Sequence, residues 1–131
     1  MKKALIVGLI SLFSIPLLIV VLYQFQQDPE DLPLGILVKE IPSPTNEAVI
    51  HMYLVDEGGA TSRYQMRGEV IYANKESKNI YFNYDEERTD VQWIDEQTVI
   101  INGEKLDIKE DFYYWKDDPD WEKKRKKMYE L

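Results

Sequence analysis

The segment TVIINGEKLDI, residues 98–108, gives the strongest indication of the fold. At its centre lies Asn102-Gly103, a dipeptide that favours the primed two-residue turn, whose twist matches that of paired strands. Residues 98–101 and 104–108 are therefore predicted to pair as a β-hairpin. The apolar side chains of this segment and of the β-prone residues before it are the expected core of this half: Val91, Trp93, Val99, Ile101, Leu106 and Ile108.

Further strands are expected before this hairpin. Residues 48–55 are an uninterrupted β-prone run, and residues 56–59 supply a turn with two glycines. A period of two follows, which is typical of a half-buried strand. Its apolar face comprises Tyr64, Met66, Val70 and Tyr72, and its polar face comprises Arg63, Gln65, Arg67 and Glu69. In the next strand, Ile80, Phe82 and Tyr84 are expected to alternate with Tyr81 and Asn83.

Six short strands with short connections indicate a mainly β fold, a small antiparallel meander arranged as a sandwich or an incomplete barrel. This domain is placed at residues 46–116. Residues 117–131 are predicted to form a charged C-terminal helix or tail, since Asp118 is a suitable cap and Pro119 suits a first helical turn.

The N-terminal sequence predicts a transmembrane helix at residues 1–23. Residues 4–23 contain no charged side chain, and twenty helical residues span about 30 Å, the thickness of a bilayer core. A cleaved signal peptide is the alternative, but the apolar run exceeds the roughly 7–15 residues of a signal core and no small-x-small site follows it. Residues 24–45, with four prolines, are predicted to form a stalk.

Charge predicts the orientation and excludes one class of partner. Lys2 and Lys3 precede the predicted span and acidic residues follow it. The protein is therefore expected to be a single-pass protein of the cell membrane, with its N-terminus in the cytoplasm and its C-terminal domain outside the cytoplasm. All 24 acidic residues but only 14 of the 16 basic ones lie after residue 23, which gives this part a net charge of −10. A nucleic-acid partner is not expected, because phosphate binding needs a basic face.

Several short motifs resemble an uncharacterised family of small membrane-anchored proteins from Gram-positive bacteria, known only as a domain of unknown function. The resemblance covers residues 43–116 and implies no active site. Residues after Asp117 depart from the family pattern. The motifs are Ser43-Pro44, Tyr53-Leu54-Val55, Gly58-Gly59-Ala60-Thr61, Arg67-Gly68-Glu69-Val70, Lys78-Asn79-Ile80-Tyr81, Trp93-Ile94-Asp95 and residues 99–106.

The residues for most catalytic and metal chemistry are missing. The chain has no cysteine and one histidine, His51, so it cannot build a cysteine nucleophile or a zinc site of clustered Cys and His ligands. Neither Ser62 nor Ser77 stands in a nucleophile-elbow sequence. No catalytic residue, metal ligand or cofactor is predicted.

Two groups of residues are candidates for binding. Arg63, Arg67, Tyr81 and Asn83 are candidates for a patch that holds an anionic ligand, although cross-strand ion pairing of the arginines with Glu69 or another carboxylate is the favoured interpretation. The ordinary interpretation of the tail is a solvated helix with a basic face. The more specific alternative is contact with the membrane or the cell envelope through Trp121, Lys123, Lys124, Arg125, Lys126 and Lys127.

The function expected from these features is a membrane-anchored extracytoplasmic interaction module that binds a membrane or cell-envelope protein or another envelope component. The alternatives are a sensor for a small ligand or ion and, third, a hydrolase that uses carboxylates. No enzymatic activity is expected, because no catalytic motif supports it.

Overall fold

The computed structural model describes residues 30–130 and, before them, Pro16 alone. Eight strands, one 3₁₀ turn and one helix follow one another: β1 Ile36–Pro42, β2 Ala48–Val55, β3 Gln65–Tyr72, β4 Ser77–Tyr84, β5 Val91–Trp93, β6 Thr98–Ile101, β7 Glu104–Asp107, β8 Tyr113–Tyr114, the 3₁₀ turn Trp115–Asp117 and the C-terminal helix Trp121–Tyr129.

The strands form two sheets. The larger sheet has the order β1-β2-β3-β4-β8, antiparallel throughout except that β8 pairs parallel to β4. The smaller sheet is the antiparallel meander β5-β6-β7. The predicted hairpin is confirmed: Ile101 pairs with Glu104, and Asn102 and Gly103 turn the chain with φ of 47° and 87°.

The main core lies between the two sheets, as a sandwich requires. Val99, Ile101, Leu106 and Ile108 are buried in it, while Val91 and Trp93 are partly buried against it, so the core predicted for this half is confirmed. The larger sheet contributes Ala48, Ile50, Met52, Met66, Val70, Ile80 and Tyr81.

A bulge in β4 changes which side chains share a face. Gly68 pairs with Tyr81 but Glu69 pairs with Asn79, so Ile80 is an extra residue on β4. Ile80 and Tyr81 therefore both enter the main core. The expectation that Ile80 and Phe82 share a face is wrong, because Phe82 lies on the opposite face, in a second cluster with Val55 and Tyr114.

The first strand lies inside the segment that was predicted to be a stalk. Residues 36–42 pair with β2, so the folded part begins about ten residues earlier than the sequence indicated. The physical reason is the β-prone run Ile36-Leu37-Val38, which the neighbouring prolines bound instead of interrupting: Pro33 precedes the strand and Pro42 ends it.

The predicted fold class needs correction. It combined a β-domain and a C-terminal helix, which the structure shows, with an N-terminal transmembrane helix. Among the described residues, no helix is both long enough and apolar enough to cross a bilayer. The predicted span, residues 1–23, lies outside the described part of the chain apart from Pro16.

Candidate functional site

A polar cavity of about 170 Å³ lies where β4, the β6–β7 turn and the C-terminal helix meet. Side chains from all three line it, with the loop after β4 and Tyr113 of β8 completing the wall. Its residues combine acids, bases, amides and aromatic rings: Tyr81, Asn83, Tyr84, Asp85, Glu86, Arg88, Asn102, Gly103, Glu104, Tyr113, Trp121, Lys124, Arg125 and Met128.

Glu86 is the most buried carboxylate in this wall, with 2% of its surface exposed. Its Oε1 accepts a hydrogen bond of 3.0 Å from Nε of Arg88. Within residues 30–130, its Oε2 has a single long contact, 3.5 Å from Nδ2 of Asn83. Burial raises the pKa of the Glu86 carboxyl, and the nearby Arg88 offsets only part of this effect.

Next to Glu86 lies the hydroxyl of Tyr81. This oxygen accepts long hydrogen bonds from the amides of Asn83, at 3.3 Å, and Asn102, at 3.4 Å. Burial raises the pKa of Tyr81, and the negative charge of Glu86 adds to the effect, so the hydroxyl stays protonated. Asn102 is itself fixed, because its Nδ2 donates to the carbonyl of Arg88 at 2.8 Å.

The C-terminal helix closes the cavity through hydrogen bonds to the loop after β4. Nε of Arg125 donates to Asp85 at 2.5 Å, and the hydroxyl of Tyr129 donates to the same carboxylate at 2.7 Å. Burial works to raise the pKa of Asp85, but these two hydrogen bonds outweigh it and hold the pKa below its usual value. Asp85 adopts a φ of 56°, a conformation that these bonds help to hold.

Two further residues, Lys124 and Trp121, attach the start of the helix. Nζ of Lys124 lies 2.8 Å from Glu104 and 2.7 Å from Asp118. The indole of Trp121 donates to Oδ1 of Asn83 at 2.8 Å, and its ring lies 4.8 Å from that of Trp115. The helix is therefore positioned by polar contacts on both sides of the cavity.

A wider and more open groove of about 630 Å³ adjoins the cavity. Asp85, Arg88 and Met128 line both spaces, so they form the partition between them. The groove also contains Arg63 and the glycine turn at residues 58–59.

The structure separates the four residues predicted to form an anion-binding patch. Tyr81 and Asn83 line the cavity and Arg63 lines the adjoining groove. Arg67 pairs directly with Phe82, whereas Tyr81 pairs with Gly68, so Arg67 lies on the other face of the sheet. There it is 4% exposed and bonded to Glu69, Asn79 and the carbonyl of Leu34.

The residues predicted to contact the membrane or envelope divide into two sets. Trp121, Lys124 and Arg125 face the domain and line the cavity. Lys123, Lys126 and Lys127 are exposed. The structure thus brings Trp121, Lys124 and Arg125 together with Tyr81 and Asn83, which the sequence had assigned to a separate site.

Comparison with known proteins identifies the family. A match to a family of unknown function, DUF5412, covers residues 1–118. The chain belongs to DUF5412. The resemblance to a domain of unknown function is therefore confirmed, and the match is longer than the expected residues 43–116. No curated protein and no solved structure matches the chain.

The DUF5412 match ends just before the C-terminal helix. The sheet side of the cavity, including Tyr81, Glu86 and Asn102, lies within the matched residues. The helix side, Trp121–Tyr129, lies beyond them. In this member of DUF5412 the cavity is completed by residues outside the family match.

Sequence reasoning missed Asp85, Glu86 and Asn102 as parts of this site. Asp85 and Glu86 belong to a charged run that reads as a solvated loop, and Asn102 was interpreted only as a turn residue. A signal did exist for Asn102, since a hairpin turn places its side chain near the strand ends. Among the described residues, no three His, Asp or Glu side chains cluster in a way that could hold a metal ion.

A second feature is the apolar edge of the larger sheet. β1 has β2 on one side and, among the described strands, no neighbour on the other. Leu34 is 81% exposed and Ile36 is 70% exposed, and Leu37 and Val38 are also exposed. Solvent-exposed apolar side chains thus follow one another beside unpaired backbone groups.

Proposed function

We propose that this domain is a non-enzymatic interaction module that binds an extended segment of another protein as an additional strand along β1. The observation that carries the proposal is the exposed apolar edge at residues 34–38. Unpaired N–H and C=O groups on an edge strand are a template for another strand, and apolar side chains beside them supply contact area.

Features that discourage strand addition flank residues 34–37: Pro33 precedes them, and others follow. Lys39 and the bulge at Val38, where the register with β2 shifts, are features that discourage pairing. No comparable charge stands among residues 34–37. That part is also held in place, because the Leu34 carbonyl accepts a hydrogen bond of 2.7 Å from Arg67. A Cβ on Gly35 would lie 2.7 Å from the Leu54 carbonyl oxygen, which shows how closely the chain approaches β2.

Charge indicates the chemistry of the bound segment. The chain after residue 23 has a net charge of −10, and a field of this sign attracts and steers cationic partners. The expected occupant is an extended segment in which apolar residues alternate with basic ones. The location proposed for this interaction is the one expected from the sequence, outside the cytoplasm at the envelope of a Gram-positive bacterium.

A peptide-binding experiment tests the proposal. The probe is a fluorescent ten-residue peptide in which valine and lysine alternate, and the full chain is titrated against it. Binding is expected together with slower amide exchange at residues 34–38. The Leu34→Lys/Ile36→Lys variant should lose binding, while Ile94→Lys, at an apolar site that is 54% exposed elsewhere, should retain it.

Two outcomes would contradict the proposal. Equal binding of the peptide to both variants would place the contact elsewhere. Dimerisation of the chain that the Leu34→Lys/Ile36→Lys variant abolishes, without peptide binding, would make a second copy the occupant of the edge.

The sensor that the sequence offered as an alternative is favoured by a separate observation, the polar cavity beneath the C-terminal helix. The hydrolase alternative gains no support there. Asp85, the carboxylate next to Glu86, already accepts hydrogen bonds from Arg125 and Tyr129.

A further inference from the structure

We propose that the cavity beneath the C-terminal helix is a binding site for a small organic cation with a primary ammonium group, held by the Glu86 carboxylate and the surrounding aromatic rings. The inference does not depend on the edge of β1, which lies on a different part of the larger sheet. It would add a ligand to a protein whose family has no assigned one.

The cavity has the size for such a ligand. Its volume of about 170 Å³ corresponds to roughly five water molecules at about 30 Å³ each. An alkylammonium ion of about five non-hydrogen atoms fills the same space. The wall is both polar and aromatic, so it suits a ligand with one charged end and a short apolar body.

Glu86 supplies the anionic partner. A carboxylate that is 2% exposed has lost nearly all its hydration, and Arg88 contacts only its Oε1 atom, at 3.0 Å. Its Oε2 atom, with one contact of 3.5 Å to an amide, has capacity for a stronger donor. An ammonium N–H donated to Oε2 would form the charge-assisted hydrogen bond that this oxygen lacks.

Aromatic rings around the cavity also favour a positively charged ligand. The rings of Tyr81 and Tyr113 stack at 5.3 Å, and the ring of Trp121 lies 6.3 Å from that of Tyr84. Two of these rings already attract cations: Nζ of Lys124 lies 5.6 Å from the centre of Tyr113, and the guanidinium of Arg125 lies 5.4 Å from that of Trp121. Faces of this kind stabilise ammonium groups.

The charges in and next to the wall oppose an anionic ligand. Each basic side chain already has a carboxylate partner: Arg88 has Glu86, Arg125 has Asp85, and Lys124 has both Glu104 and Asp118. Among the described residues that line the cavity, three carboxylates, Asp85, Glu86 and Glu104, thus balance the three basic groups. No basic group of this lining is left without a carboxylate to hold an anion.

The test titrates the full chain with n-butylammonium chloride. Tryptophan fluorescence reports binding, because Trp121 lines the cavity and the ring of Trp115 packs against that of Trp121. The melting temperature should also rise, because the ligand binds the folded state. Potassium chloride at equal ionic strength and n-butanol, which has the same shape without the charge, should produce neither change.

Paired variants locate the site. Glu86→Gln keeps the shape of the side chain and removes its charge, and we expect affinity for n-butylammonium to fall at least about tenfold, since a charge-assisted hydrogen bond is lost. Glu87→Gln makes the same change at the next position, which is exposed and lines the outer groove, and should bind as the unchanged protein does.

Specific results would overturn the inference. They are an equal response to n-butanol or potassium chloride, full affinity in Glu86→Gln, or no response of the unchanged protein at any concentration. The comparison of the three additives uses the unchanged protein, so it remains decisive if Glu86→Gln folds poorly.

Discussion

Arg67 is a charged side chain used as a structural part of the larger sheet. Its guanidinium lies 3.9 Å from the ring centre of Tyr53 and bonds to Glu69, Asn79 and the Leu34 carbonyl. Its Nε atom, in contrast, is buried with no hydrogen-bond partner among the described residues. The surrounding contacts hold this arginine in place, and through Leu34 they also hold the start of the apolar edge.

Replacing Arg67 by alanine is therefore expected to destabilise the domain by about 2–4 kcal/mol, because it leaves a partly buried Glu69 and a backbone carbonyl without their donor. Urea unfolding measures the change. Arg63→Ala is the matched control: Arg63 is exposed, and its removal should change the free energy of unfolding by no more than about 0.5 kcal/mol. Similar values for the two variants would show that the buried contacts contribute nothing specific.

For single residues, the sequence indicated where an irregularity in a strand lies better than it indicated which face of the sheet each side chain occupies. A glycine on the apolar face of a strand, as at position 68, indicates either a bulge or a close neighbour, and the structure shows both. The register shifts beside it, and a Cβ there would lie 3.0 Å from that of Tyr81. What the alternation could not indicate was that the bulge puts Ile80 and Tyr81 on one face, because the extra residue is determined by pairing with a distant strand.

Among the elements, the C-terminal helix depends most on polar contacts. None of its residues is buried, and nine residues are too few for a helix that is stable alone. Its position comes from Trp121, Lys124, Arg125 and Tyr129, which bond to the sheet and its loops. The sequence predicted a helix here from Asp118 and Pro119, but the helix begins at Trp121, and Asp120 before it makes no side-chain cap hydrogen bond. Its docking was not predicted, since the carboxylate that receives Arg125 lies forty positions earlier.

A chain ending at Asp118 should fold but lose about 2–4 kcal/mol of stability, because Asp85 is left without Arg125 and Tyr129 and Trp115 becomes exposed. Thermal unfolding gives the first effect, and a shift of tryptophan emission to longer wavelength gives the second. The variant Lys123→Ala/Lys126→Ala/Lys127→Ala changes only exposed positions of the helix and should lose less than about 1 kcal/mol. If the truncated chain loses no more stability than the triple lysine variant, the contacts that dock the helix do not stabilise the domain.

For the whole molecule, acid should lower stability. Burial works to raise the pKa of Asp85 and Asp118, but hydrogen bonds outweigh it and hold both below their usual value. The unfolded chain then binds protons more tightly than the folded one, so the free energy of unfolding falls as the pH drops below about 4. Glu86 acts in the opposite direction, because its pKa is raised and protonation favours the folded state.

Urea unfolding at several pH values tests this expectation with two neighbouring variants. Asp118→Asn removes a carboxylate whose pKa is lowered in the folded state, so its stability should depend less steeply on pH in the acid range. Asp117→Asn removes an exposed carboxylate and should retain the full dependence. Identical slopes for the two variants would contradict the assignment of the acid sensitivity to Asp118.

The overall architecture could be predicted only in part. The hairpin at residues 98–108 and the core of the second half followed from local signals, the turn dipeptide and the apolar residues around it. The parallel pairing of β8 with β4 had no local signal in the sequence. It joins Tyr81 to Tyr113, and all three strands of the smaller sheet lie between these residues along the chain. The cavity was missed for the same reason: its residues come from segments that only the tertiary fold brings together.

The position of the C-terminal helix after all eight strands has a consequence for access to the cavity. Among the described residues no strand follows residues 121–129, so the helix is able to undock without breaking a strand pairing in either sheet. Such local opening exposes Asp85 and Glu86 to water while the sandwich stays paired. Exchange of molecules between the cavity and solvent therefore requires no unfolding of the β-domain.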